Sequence, residues 1–253
     1  MASQDKLILY TNHRCPWAHR AHIALAELKI PFEEVIIDLD TPRTEEYLKI
    51  NPRGLVPALS YNGEIIIESG IVAQFLADTY PSHLIPASNA PGGALRRAQV
   101  ALFVDAFISK FQSVLFGLFK AKTREDREEI AEKAIAGLVK EVEPLLGDAS
   151  PFFGGSDKIT LAEVLTGSFV IRLKALSTAG VYPKSLWAQI EAKTPNFLKW
   201  ANVVAVHPSV TSIFDEKSLV EGAKAKILEL GGGYRLNAFL HLGQQFPQPR
   251  HGA

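Results

Sequence analysis

A single cysteine, Cys15, stands in the run HRCPWAHR at residues 13–20. A short apolar strand pattern (KLILYTN, 6–12) runs into it, and Ala18, Ala21, Leu25 and Leu28 follow at helical spacing. Pro16 suits a first helical position, because its ring fixes φ and its missing N–H would have had no partner there. Cys15 is therefore expected at the N-cap of a helix over 16–29. There the helix end's partial positive charge and free N–H groups favour thiolate over thiol. Arg14, His19 and Arg20 are expected to add positive field. That field is local, since residues 1–84 carry seven basic against eleven acidic side chains. A lone cysteine can also be a small, inert core residue; the strand–Cys–Pro–helix setting favours the reactive reading.

Three positions after Cys15 stands Ala18, where a dithiol redox site would have its second cysteine. A mixed disulfide formed at Cys15 must then be resolved by an outside thiol, of which glutathione is the abundant one in the cytosol. His13, His19 and His22 lack the H-E-x-x-H arrangement of a helical zinc site, so no metal is expected. His19, one helical turn from Cys15, is either a base for the thiol or an exposed polar residue near a helix start.

The elements that must hold this thiol follow from pattern. Strand signals recur at 32–39 (FEEVIIDL), 55–61 (LVPALSY) and 64–69, the last two flanking Asn62-Gly63, a type I′ hairpin signature. Short helices are expected at 43–50 and from Ser69 to Pro81. The order strand, helix, strand, helix, strand, strand, helix is that of the thioredoxin fold: one sheet with a right-handed parallel crossover followed by an antiparallel hairpin. Pro57 inside the third strand is anomalous unless it has a special role, which a cis Val56–Pro57 bond would supply.

The Pro/Gly/Ser-rich stretch 81–94 reads as a linker, and helical patterns fill 95–120, 124–147, 160–178, 184–192, 195–206 and 209–229. Two domains are expected, 1–84 and 95–253. The tail 231–253 opens on a helix-stopping triple glycine and is expected to lie loosely across a groove. With 47% hydrophobic and 21% charged residues the chain has ample core material, and one cysteine excludes an internal disulfide. Zero net charge offers no bulk attraction for nucleic acid or anionic membrane. The longest apolar stretch is interrupted by Asp105, Ser109, Lys110 and Gln112, and the start has no leader pattern. A soluble cytoplasmic protein is the expectation. Phe107, Phe111, Phe116, Phe119 and Trp187 could line a substrate pocket, although aromatics at helical spacing are more often core.

CPWAHR, NPRGLVPAL, NGEIIIESGIVAQFLADTYP, FFGGSDKITLAE and FLKWANVVAVHPSV fall in the order seen in cytosolic glutathione transferases, over about residues 5–230. Within that superfamily the chain most resembles the omega class, whose active-site residue is cysteine. The resemblance implies a thioredoxin-like glutathione-binding domain, an all-helical substrate-binding domain and a homodimer. It implies glutathione as co-substrate, with no metal. Cys15 would form the mixed disulfide, and Trp17 would line the pocket beside it. Val56, before Pro57, would offer its backbone to the cysteinyl part. Glu68 and Ser69 would hold the γ-glutamyl end, and Arg43 would lie near the glycine carboxylate. The implied activity is thiol transfer: deglutathionylation or dehydroascorbate-type reduction, with little conjugation of electrophiles. CPWAHR is also close to the xi-class run, which keeps glutathionyl-hydroquinone reduction open. A non-catalytic interaction module of the same fold is the rival from another class. The helical domain's capping box carries Glu163 where the family normally has Asp.

Overall fold

The computed structural model describes residues 5–231. The expectation for the tail therefore lies outside the described residues, apart from Gly231. The first third of the chain builds one four-stranded sheet from β1 (Leu7–Thr11), β2 (Glu33–Ile36), β3 (Ala58–Tyr61) and β4 (Glu64–Ile67), in the order β2-β1-β3-β4. β1 pairs parallel with β2 and antiparallel with β3, and β3 pairs antiparallel with β4. Helices α1 (Pro16–Leu28), α2 (Glu45–Ile50) and α3 (Ser69–Thr79) complete a thioredoxin-like unit. At the hairpin, Asn62 and Gly63 both have positive φ, as a type I′ turn requires.

Among the strands, β2 and β3 fall furthest short of their patterns. β2 ends at Ile36, where Asp38 turns the chain by accepting hydrogen bonds from the Asp40 N–H and the Thr41 hydroxyl. β3 begins only at Ala58, so Pro57, which has no N–H to pair, lies just outside the ladder; the Val56–Pro57 bond is cis.

The remainder is helical. α4 (Gly93–Ala106) continues through a π-helical turn, Phe107–Gln112, into α5 (Ser113–Leu115) and a final 3-10 turn. α6 (Arg124–Gly137) starts at a Thr123/Asp126 capping box. α7 (Leu161–Thr178) starts at the expected Thr160/Glu163 box, and its residues from Leu161 to Leu173 are all buried. α8 (Lys184–Lys193), α9 (Pro195–Val204), α10 (Pro208–Thr211) and α11 (Glu216–Gly231) follow. The single helix expected over 209–229 is thus two, because the Asp215 carboxylate accepts the Ser218 N–H and opens a new helix.

Gly93–Phe119 is, by length and composition alone, one helical run that could span a membrane. Half of its apolar window is buried inside the protein, and Phe103, Phe107 and Phe111 are fully enclosed, as in a core helix. Phe103, Phe107, Phe111, Phe197 and Trp200 form one aromatic cluster, so Phe107 and Phe111 are core. Phe116 and Phe119 instead line a narrow cleft beside Pro16 and Phe169. Trp187 donates to Glu191 on its own helix. α1 is buried along almost its whole length, packed between α3 and α7. That sandwich decides the surroundings of the thiol.

Candidate active site

Cys15 occupies the N-cap of α1, with extended backbone, as its spacing to Pro16 requires. The turn that delivers it is pinned by Asn12. Its carbonyl accepts the Cys15 N–H at 3.0 Å, its side chain accepts the Arg14 N–H, and its amide donates to Ile37 O. The thiol points at Val56 O, 3.9 Å away across the end of the sheet.

Burial pushes the Cys15 thiol above its ordinary pKa. The N–H groups of Ala18 and Trp17 and the guanidiniums of Arg172 and Arg20 pull it back, but burial outweighs them. This corrects the expectation of a thiol lowered by the helix end: the dipole acts, yet only 8% of the residue is exposed to water.

The cations around the thiol also differ from expectation. Arg14 faces outward and pairs with Asp40 at 2.6 Å. His19 is fully buried, and burial with the nearby Arg172 charge drives its pKa well below the usual range. Its ring is therefore neutral and adds no positive field; its Nδ1 accepts from Arg172 at 3.0 Å. Arg20 does stay close. It donates to Leu165 O at 2.7 Å and to Ser69 Oγ at 3.2 Å, and lies 4.4 Å over the Trp17 ring. Arg172, on α7, is the cation that sequence reasoning missed. It donates to Ser168 O at 2.9 Å, His13 O at 3.2 Å and Arg14 O at 3.4 Å, which ties α7 to the turn that carries Cys15. Its only local signal is an arginine inside the apolar run SFVIRLKAL. Burial holds Arg20 down to about 9 and Arg172 to about 10, and the charge of Cys15 works against that.

The loop ending at Val56 is braced from several sides. Arg43 donates to Gly54 O at 2.9 Å, Asp38 O at 2.5 Å and Thr41 O at 2.8 Å. The Asn51 amide and the Tyr47 hydroxyl both donate to Leu55 O. Gly54 sits at φ 63°, and a Cβ there would come within 3.1 Å of the Arg43 side chain. Glu68 caps α3 at φ 72°, a strained value for a side-chain-bearing residue, and pairs with Arg53, a second partner unread in the sequence. Ser69 follows, fully buried on Arg20.

Cys15, Val56 and Pro57 therefore meet at one end of the sheet, while Glu68 and Ser69 stand at the start of α3, linked to α1 through Arg20. A cavity of about 560 Å³ lies between α3, α4 and α7, lined in part by Trp17, Arg20, Arg53, Glu68, Val100 and Leu165. Trp17 Nε1 and Arg20 Nη2 are buried there with no hydrogen-bond partner among the described residues.

Residues 14–79 match the family model for the glutathione S-transferase N-terminal domain. The chain is 29% identical over 156 residues to glutathione transferase omega-1 of Caenorhabditis elegans, an alignment covering 61% of this chain and 58% of that protein, under two thirds of its length. It is 28% identical over 174 residues to glutathione S-transferase omega-1 of Rattus norvegicus, covering 68% and 69%. The crystal structure of glutathione transferase Omega 1C from Trametes versicolor superimposes with a TM-score of 0.73 at 27% identity, over 89% of this chain and 98% of that one. A thioredoxin-like sheet followed by a helical part is the fold of glutathione transferases, and with these matches the chain resembles that family. The likeness to omega-class members holds in both sequence and structure.

Proposed function

We propose that the protein is a glutathione-dependent thiol transferase acting through a mixed disulfide at Cys15. The observation that carries this reading is a sole cysteine at a helix N-cap, facing a loop carbonyl and flanked by two buried guanidiniums that have no carboxylate partner among the described residues. In the first step the Cys15 thiolate attacks the glutathionyl sulfur of a glutathionylated substrate. A Cys15–glutathione disulfide forms and the substrate thiolate leaves, taking up a proton. In the second, a glutathione thiolate attacks that sulfur, glutathione disulfide departs, and Cys15 thiolate is restored. Arg172 and Arg20 provide the positive field that favours thiolate as attacking and as leaving group.

In this reading residues 1–84 bind glutathione and 95–253 shape the second-substrate side. Val56, before Pro57, presents its backbone to the cysteinyl part as an added strand would. Glu68 meets the γ-glutamyl ammonium, the N–H of Ser69 meets its carboxylate at the start of α3, and Trp17 walls the thiol. Arg43 acts mainly by fixing the loop that presents Val56. Ile71, Leu95 and Leu102, all more than half exposed on α3 and α4, suit the homodimer common in the family.

The test is intact mass after glutathione disulfide treatment across pH 6 to 9, followed by excess glutathione. One glutathionyl group gained, reversed by glutathione and absent in Cys15→Ser, supports the cycle. A folded protein that gains none overturns it and leaves the interaction-module reading.

A further inference from the structure

On the opposite side of β1 from the thiol, the fold gathers groups that lie far apart in sequence. His13 comes from the turn after β1, His22 from the second turn of α1, and Glu34 from β2. His13 Nε2 lies 2.7 Å, and His22 Nε2 3.4 Å, from the same oxygen, Glu34 Oε1. All three ligand-capable atoms lie within 4.8 Å of one another, and the two rings meet edge to face with centroids 5.2 Å apart. Thr11 Oγ1 lies 2.9 Å from His22 Nε2.

We propose that His13, His22 and Glu34 form a binding site for a divalent transition-metal ion of the zinc type. Two imidazoles and one carboxylate are a donor set that suits zinc, whereas magnesium and calcium prefer oxygen alone. With metal–ligand bonds of about 2.0–2.2 Å, tetrahedral ligands stand about 3.3–3.5 Å apart. The His22–Glu34 separation already has that value, and His13 must withdraw from Glu34 by about 0.6–0.8 Å. The parts are suited to that movement. The His22 side chain is 4% exposed and fixed by packing, while those of His13 and Glu34, at 44% and 33%, can adjust. The fourth position falls to water or to the Thr11 hydroxyl. The sequence pattern hid this site because its carboxylate arrives from another strand rather than from the same helix.

The site is separate from the thiol, since β2 and β3 flank β1 on opposite sides and Cys15 faces the β3 side. The test uses the full-length chain with Cys15→Ser, which removes thiol ligation. Cobalt(II) is titrated and followed by its visible absorption, and zinc then competes. The expected result is one cobalt per chain with the strong band of low coordination, displaced by zinc. Binding should weaken by about tenfold or more in His13→Ala and in Glu34→Gln, both of which alter accessible side chains. No uptake by the Cys15→Ser chain overturns the proposal. So does uptake that persists unchanged in both variants, which would place the ion on other histidines such as His241 or His251.

Discussion

Replacing Glu163 with glutamine conserves volume and tests how the helix that carries Arg172 is held. The Glu163 carboxylate is fully buried and accepts four hydrogen bonds. Phe153 N and Trp200 Nε1 donate to one oxygen at 2.8 and 2.7 Å, and Thr160 N and Oγ1 to the other at 2.8 and 2.6 Å. In Glu163→Gln one oxygen becomes an NH2 group that can only donate. Turned toward Phe153 and Trp200, it faces two donors that cannot change role. Turned toward Thr160, it faces one such N–H and a hydroxyl able to rotate and accept, so this orientation is favoured. One buried N–H is then orphaned, at about 1–3 kcal/mol. The two remaining bonds lose their ionic strengthening, together about 2 kcal/mol more. The total is on the order of 3–5 kcal/mol, or a fall in Tm of order 10 °C for a chain of this size. Urea unfolding followed by tryptophan fluorescence, with a thermal melt beside it, measures both. A variant within about 1 kcal/mol of wild type would refute the reasoning that this carboxylate anchors the start of α7.

Alkylation of Cys15 by iodoacetamide should still be accelerating above pH 8, because burial places the thiol above its ordinary value; a plateau by pH 7 would contradict this. Arg172→Met removes an opposing positive charge and should shift that profile further toward alkaline pH. His19, held neutral, has a folded pKa below its unfolded one. Stability should therefore be full above the ordinary histidine value of about 6.5 and decline as pH falls below it. His19→Gln should flatten that decline in a urea series taken from pH 7.5 to 5. Gly137→Ala would place a Cβ 2.1 Å from Lys110 O, a backbone atom on the neighbouring π-helical turn. Forced separation there should destabilise by about 2–3 kcal/mol, whereas a neutral result in the same assay would show that the two helices slide freely.

Much of the fold was legible because its signals are local. Cys15-Pro16 marks a helix start whatever surrounds it, since proline's fixed φ and missing N–H are properties of the residue itself. Asn62-Gly63 specifies a turn for the same kind of reason, and Thr160-x-x-Glu163 closes a reciprocal pair of bonds within four residues. At 212–215 the helical periodicity ran on regardless, and a cap formed by Asp215 overrode it. The charge state around the thiol was not legible in this way. Arg14, His19 and Arg20 are close neighbours in sequence, yet one turns to Asp40, one is buried and neutral, and one stays. The strongest additional cation, Arg172, arrives from 157 positions further along the chain.

Sequence alone thus determined where the sole cysteine sits on its helix and which fold carries it, because covalent geometry and hydrophobic period act over a few residues. Tertiary structure decided how deeply the thiol is buried, which charges reach it and which distant groups converge beside it, as with Glu34 on the two histidines. Those properties depend on solvent exclusion and on distances across packed elements, and the order of residues along the chain does not encode either one locally.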